Sequence, residues 1–198
     1  IAFVIDLGLV RSGLEGLEIA NPIYREVIPR ALAWVVQETL PVARAPFIAL
    51  DGTLRLAKLL NDFADFWLEH AEALLVAQPY PEVAPQLILM AFLQRIVNGG
   101  GSIDREYAVG KGRMDLCVRW PHVGGVQREA LELKVWRDGR PDPLQKGLQQ
   151  LTGYLERLGL DAGVLVIFDR RAAAPPLAGR VAIETVEHEG RPITVMRL

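Results

Sequence analysis

Val164-Leu165-Val166-Ile167-Phe168 is the stretch on which the fold turns. Its five apolar residues run without a polar break, so neither face of this strand meets water. A strand covered on both faces belongs to a sheet sandwiched between helices. Just before it, residues 143–159 place Leu144, Leu148, Leu151, Leu155 and Leu158 on one narrow helical stripe. Further upstream come strand-like segments near 103–109, 113–120 and 128–136, separated by turns rich in Gly, Pro and His. An apolar helix over 82–98 (Leu87, Leu89, Met90, Phe92, Leu93, Ile96, Val97) precedes them and stops at Gly99-Gly100-Gly101. Downstream, the alternating runs 180–187 and 191–197 turn at Glu189-Gly190 and predict a terminal hairpin. From residue 82 the order is α-β-β-β-α-β followed by a hairpin, an α/β fold.

The first 78 residues have another texture. Residues 1–20, with the apolar run Phe3-Val4-Ile5 and punctuation at Gly13 and Gly16, predict short strands and turns. Asn21 and Pro22 form a helix start, and Pro29 and Pro41 kink and end that helix. A second helix, capped by Asp51, is expected to run to about Val76, with Leu56, Leu59, Leu60, Phe63, Phe66 and Trp67 at helical spacing. Nothing in this part forms a reactive constellation, and its apolar stripes read as packing. The expected division is 1–78, a strand and helical module, and 79–198, the α/β domain.

Composition narrows the classes. The chain has 198 residues, 51% hydrophobic and 23% charged, which excludes a disordered tail and permits a real core. The single cysteine, Cys117, rules out an internal disulfide and a Cys-based zinc site, and points to a reducing, cytoplasmic setting. His70, His122 and His188 are scattered and form no zinc cluster. Apolar runs are broken by charge well short of the roughly 18–20 residues of a spanning helix, so no membrane partner is expected. The opening Ile1-Ala2-Phe3-Val4-Ile5-Asp6 lacks an initiator Met and a basic signal-peptide start, as expected of an excised part of a longer protein.

Chemistry concentrates in Leu131-Glu132-Leu133-Lys134-Val135-Trp136. On a strand, Glu132, Lys134 and Trp136 face one way and Leu131, Leu133 and Val135 the other, with Glu132 and Lys134 about 7 Å apart along it. Asp115 begins the preceding strand, Gly112-Arg113-Met114-Asp115-Leu116-Cys117-Val118, and a hairpin turning around Pro121 to Gly125 brings it beside Glu132. Two carboxylates brought together repel, and a hard cation such as Mg²⁺ or Mn²⁺ is the usual remedy. A metal so held acidifies a bound water and neutralises a phosphate oxygen, while Lys134 stabilises charge or orients the water. The competing reading is a cross-strand salt bridge between Lys134 and Asp115. On the following helix Gln150 and Tyr154 lie four residues apart on one face, beside the leucine stripe, and Lys146 extends that face. They are placed to hydrogen-bond a nucleotide or position the lysine, or form only a polar boundary.

Asp115, Glu132-Leu133-Lys134 and Gln150-Leu151-Thr152-Gly153-Tyr154 together resemble the PD-(D/E)XK nuclease superfamily, including the Q-x-x-x-Y helix of its RecB-like branch. Met114-Asp115 stands where that motif has Pro-Asp. Asn21-Pro22-Ile23-Tyr24-Arg25-Glu26-Val27-Ile28-Pro29-Arg30, with Gly110-Lys111-Gly112-Arg113-Met114-Asp115, is similar to the nuclease-like C-terminal region of bacterial AAA-ATPase-like proteins. The resemblance implies a restriction-endonuclease-like, three-layer αβα core with a mixed sheet, preceded by a small helical module. It implies an Mg²⁺- or Mn²⁺-dependent nuclease cutting phosphodiester bonds in nucleic acid, DNA foremost, as the effector of an upstream ATPase domain. Asp115, Glu132 and the Leu133 backbone carbonyl would hold the metal. Lys134, Gln150 and Tyr154 would complete the catalytic set. Glu82, at the start of the helix before the first core strand, is a weaker metal candidate that also suits helix capping, and Glu106 ranks below it. Paired active sites in that superfamily leave a homodimer open. The other reading is a non-catalytic nuclease-fold module that binds nucleic acid or a partner and regulates the ATPase.

Charge fits a local nucleic-acid surface. Residues 105–146 carry nine Lys/Arg against six acids, a net of +3, which leaves −5 for the rest of a chain whose total is −2. Lys111, Arg113 and Lys146 are the candidate phosphate contacts, against a reading of Lys111 and Arg113 as a solvated turn.

Overall fold

The computed structural model describes residues 10–13, 16–19, 47–76, 83–97, 100–109 and 112–198. The run at 3–5, the helix expected from Asn21 to Pro41, Glu82 and Lys111 lie outside them, as do the side chains of Glu106 and Arg113. The predicted boundary at 78/79 also falls outside.

The elements are β1 (Val10–Gly13), β2 (Gly16–Ile19), α1 (Leu56–Val76), α2 (Ala84–Val97), β3 (Ser102–Val109) and β4 (Gly112–His122). They continue with β5 (Gly125–Trp136), α3 (Leu144–Leu158), β6 (Gly163–Asp169), α4 (Leu177–Arg180), β7 (Ala182–His188) and β8 (Arg191–Arg197). β1 and β2 pair in a small antiparallel sheet. The other six strands form one mixed sheet in the order β3-β4-β5-β6-β8-β7. β5, β6 and β8 run parallel, while β3, β4 and β7 join them antiparallel. The protein is thus an α/β protein with a six-stranded mixed sheet flanked by helices and preceded by a helical pair.

β6 is buried over its whole length, as its unbroken apolar run requires. Alternation divides it between two cores. Val164, Val166 and Phe168 join Leu116, Val118, Leu131 and Leu133 beneath α1 and α2. Leu165 and Ile167 join Cys117, Ala130, Ile193 and Val195 beneath the Leu148, Leu151 and Leu155 stripe of α3. On the first face Phe63, Trp67 and Phe92 pack ring against ring, and Trp67 meets Phe168 at 5.1 Å between centroids. Residues 47–75 therefore share one core with the sheet.

One local expectation is corrected and one further element appears. Asp51 does not cap a helix: α1 begins at Leu56, and the Asp51 carboxylate accepts hydrogen bonds from the Thr53 amide (3.0 Å) and hydroxyl (2.6 Å). An Asx turn closes the Ile48–Leu54 bridge instead, because a short carboxylate serves a turn as readily as a cap. The segment is then tied to the β4–β5 hairpin by Gln127, which bonds the Leu54 amide and carbonyl, and by Trp120, whose indole donates to the Gly52 carbonyl. The short helix α4, between β6 and β7, was not expected from the sequence. The terminal hairpin turns where predicted, with Glu189 at φ 51° and Gly190 at φ 73°, the twin positive angles of a tight type I′-like turn.

α3 sits unusually close to the sheet at Gly147. A methyl group there would stand 2.6 and 2.9 Å from the two terminal carbons of Leu165, itself fully buried. Gly147→Ala should therefore destabilise the fold by about 1–3 kcal/mol, the usual penalty for overpacking a core. Urea unfolding followed by circular dichroism reads this as a lower midpoint with an unchanged slope.

Candidate functional site

The site is built where β4 parts from β5. Their ladder ends at Leu116↔Leu131, although β4 stays paired with β3 as far as Val109↔Gly112. A wedge therefore opens between the two strands at their Asp115 and Glu132 ends. Leu133, which has left the ladder, donates its amide proton to Oδ2 of Asp115 at 2.8 Å, so a side chain replaces the missing strand partner. The N–H and C=O of one strand residue point to the same side, so the Leu133 carbonyl also faces this wedge. Asp115 follows the side of Cys117, and Glu132 that of Ala130, both beneath α3. The two carboxylates thus share one face, as their spacing predicts.

Glu132 is only 2% exposed. One of its oxygens, Oε1, accepts a short, charge-assisted hydrogen bond from the Lys134 ammonium. The other, Oε2, is buried and has no hydrogen-bond partner. Burial, then repulsion from Asp115, pushes the Glu132 carboxyl up to about 7, against the opposing pull of Lys134. Lys134 therefore pairs along its own strand with Glu132, and the alternative salt bridge to Asp115 is not what forms.

This arrangement fits a hard divalent cation. Two carboxylates and a backbone carbonyl are oxygen donors of the kind Mg²⁺ takes while keeping several waters. Oε2 of Glu132, buried beside a second carboxylate, is an oxygen that a cation would satisfy. No group of three or more His, Cys, Asp or Glu side chains able to hold a metal occurs among the described residues. A cation here would rest on two side-chain ligands and complete its shell from water or substrate. The backbone of Glu106 lies across β3 from Asp115, between Arg105↔Leu116 and Tyr107↔Met114. Its side chain, like Glu82, is outside the described residues.

α3 covers this face. Tyr154 is buried in the α3-side core, Gln150 is half-buried with Oε1 lacking a hydrogen-bond partner, and Lys146 is exposed. Counted back from the loop joining β5 to α3, Gln150 lies about 9 Å along the helix. Glu132 lies about 13 Å along the strand from its end. Gln150 and Glu132 belong to the two layers that face each other here, and each carries an unsatisfied buried oxygen.

A second polar cluster at the end of β5 and β6 was not expected from the sequence. Asp169, 6% exposed, accepts from Arg171 through Nε (2.9 Å) and Nη2 (2.6 Å), and the Arg171 guanidinium lies 3.4 Å from the centroid of Trp136. The available signal was Asp169-Arg170-Arg171 directly after the fully apolar strand, at the carboxyl end of a parallel pair.

In metal-free buffer the folded protein binds the Glu132 proton more tightly than the unfolded chain does. Stability should accordingly fall as pH rises from about 4.5 to about 7, by an amount on the order of 3 kcal/mol from this residue. Thermal melts of wild type and Glu132→Gln in EDTA across that window check this: the fall is expected to be smaller in the variant by that amount.

Compared with known proteins, the chain matches no protein-family model, no curated protein and no solved structure.

Proposed function

We propose that this chain is a metal-dependent nuclease domain that hydrolyses phosphodiester bonds in nucleic acid, DNA foremost. The observation that supports this best is the pair Asp115 and Glu132 in one wedge, with an unpartnered buried oxygen on Glu132 and the Lys134 amine on the same carboxylate. The α-β-β-β-α-β order around them agrees with a restriction-endonuclease-like core. So does Gln150 with Tyr154 on the covering helix.

On this reading Asp115, Glu132 and the Leu133 carbonyl hold Mg²⁺ or Mn²⁺. The ion supplies an acidified water and neutralises charge on the phosphate. Asp115 is oriented by the Leu133 amide, which fixes its carboxylate against the strand end. Lys134, 19% exposed along its side chain, brings an ammonium to the mouth of the wedge, where charge grows on the phosphate oxygens. Gln150 offers its buried amide oxygen to the water or to Lys134, and Tyr154 anchors that turn of α3 in the core. Lys111, Arg113 and Lys146 are proposed as phosphate contacts. Service as the effector of an upstream ATPase domain rests on the resemblance of residues 21–30 and 110–115 alone, as does a dimer.

One observation favours the other reading, a non-catalytic module. Glu132 and Lys134 already neutralise each other in part, as they would in a site that never receives a cation.

Cleavage of labelled DNA and RNA, single- and double-stranded, in Mg²⁺, Mn²⁺ or EDTA separates the two. A nuclease cuts only with metal, and Lys134→Ala lowers the rate about 10²–10³-fold, the scale of losing one preorganised charge. Asp115→Asn weakens metal binding in calorimetry, whereas Lys134→Ala retains it. Absence of both cutting and metal binding by the folded protein would establish the module instead.

A further inference from the structure

The carboxyl ends of β5, β6 and β8 carry an arginine collar around Trp136, and the phosphate contacts expected from sequence do not include it. Trp136 lies two residues beyond Lys134 on the same face of β5, about 7 Å further along. Its indole is fixed by a hydrogen bond to the Arg140 carbonyl at 2.9 Å. Arg171 covers the ring, and Arg197 lies 5.9 Å from its centroid. The loops that follow β5 and β6 are clasped together. Arg170 donates its amide to the Trp136 carbonyl at 2.8 Å, and Ala172 donates its own to the Asp138 carboxylate.

The collar has a marked charge economy. Each of its three acids is occupied internally: Asp169 by Arg171, Asp138 by the Ala172 amide, Asp142 by Arg197 and the Leu144 amide. Arg140 and Arg170 are exposed, and among the described residues neither pairs with a carboxylate. Against three acids stand Arg137, Arg140, Arg170, Arg171 and Arg197, a net of +2 on a chain whose total is −2. Guanidinium groups carried on a backbone fixed in this way suit phosphate, which they bind through paired N–H donors.

We propose that this collar is the track for the phosphate backbone of a nucleic-acid strand, with Arg140 and Arg170 as its direct contacts. Arg171, clamped between Asp169 and Trp136, is a positioning residue that holds the Arg170 loop against β5. The track starts one strand pleat beyond Lys134, so a strand bound on it passes the mouth of the Asp115–Glu132 wedge. The proposal rests on the nuclease reading for the identity of its occupant, but its test does not need catalysis.

That test is fluorescence anisotropy of labelled single-stranded DNA, duplex DNA and RNA with the full chain in EDTA, across a salt series. Wild type, Arg140→Ala/Arg170→Ala and Arg128→Ala are compared; Arg128 is an exposed arginine toward the opposite end of β5. Removing two phosphate contacts should weaken binding at low salt by tenfold or more. It should also reduce the slope of log K against log salt by about 1.4–1.8. Arg128→Ala should leave the slope unchanged. The proposal is overturned if the double variant keeps the wild-type affinity and slope, if Arg128→Ala lowers the slope as much, or if wild type binds none of the three. Binding through the arginines without metal-dependent cutting would sink the nuclease reading and leave the track standing. Cutting with binding indifferent to the arginines would do the reverse.

Discussion

Glu132 is a carboxylate held out of water in a sheet whose two faces are both covered, with a second carboxylate across the strand gap. Burying such a group without full compensation costs several kcal/mol, and here the compensation is half complete: Lys134 meets Oε1, and Oε2 meets nothing. A proton or a divalent cation at that oxygen relieves the burial penalty and the repulsion from Asp115 together. A protein whose only requirement was stability would be better served by an apolar residue at position 132, in line with Ala130 before it on the same face. The surrounding structure keeps the carboxylate instead. β4 diverges from β5 where the next ladder bond would have filled the gap, and the Asp115 side chain takes that bond from Leu133.

The covering helix makes the wedge a confined site. α3 returns antiparallel to β5 and approaches β6 at Gly147, where no side chain fits, and β6 answers at Gly163, where a methyl group would come within 3.2 Å of Leu151 and Leu155. Two missing side chains at the interface let the helix settle low on the sheet, and interior packing leaves little slack once it has done so. Gln150 and Tyr154 are carried down with it. A carboxamide oxygen without a partner is tolerable near the surface, but at half burial, over a sheet face bearing Glu132 and Lys134, it is a group awaiting a donor.

Much of this was legible in the residues, for identifiable reasons. The sandwiched sheet followed from five apolar residues at 164–168, and the facing of Glu132 and Lys134 from the two-residue period of a strand. The nearness of Asp115 to Glu132 followed from hairpin length, which fixes register within a residue or so. What escaped reading depended on where a polar side chain finds its partner. Asp51 carried a cap signature, and its carboxylate was taken by Thr53 in a turn. Lys134 had two carboxylates in reach, and only the folded arrangement distinguishes Glu132 from Asp115. Trp136 and Arg171 are 35 positions apart, and their stacking arises from parallel pairing of β5 with β6, a contact no local pattern encodes.

The acids in the wedge and the arginines at its rim acquire a common logic once their charges are considered together. Without a cation, the wedge grows more repulsive to a phosphate as Glu132 loses the proton it holds up to about 7. The rim arginines gather around Trp136, the next residue on Lys134's face of β5, so they offset part of that repulsion without filling the wedge. A cation bound between Asp115 and Glu132 would add positive charge there and make wedge and rim attractive to the same anion. Cation and nucleic acid would then each raise the affinity for the other, by the same factor, because the coupling belongs to the pair and not to either ligand. On the proposed reading, the unpartnered oxygen of Glu132 is where that coupling begins, because it is the donor left open to the cation.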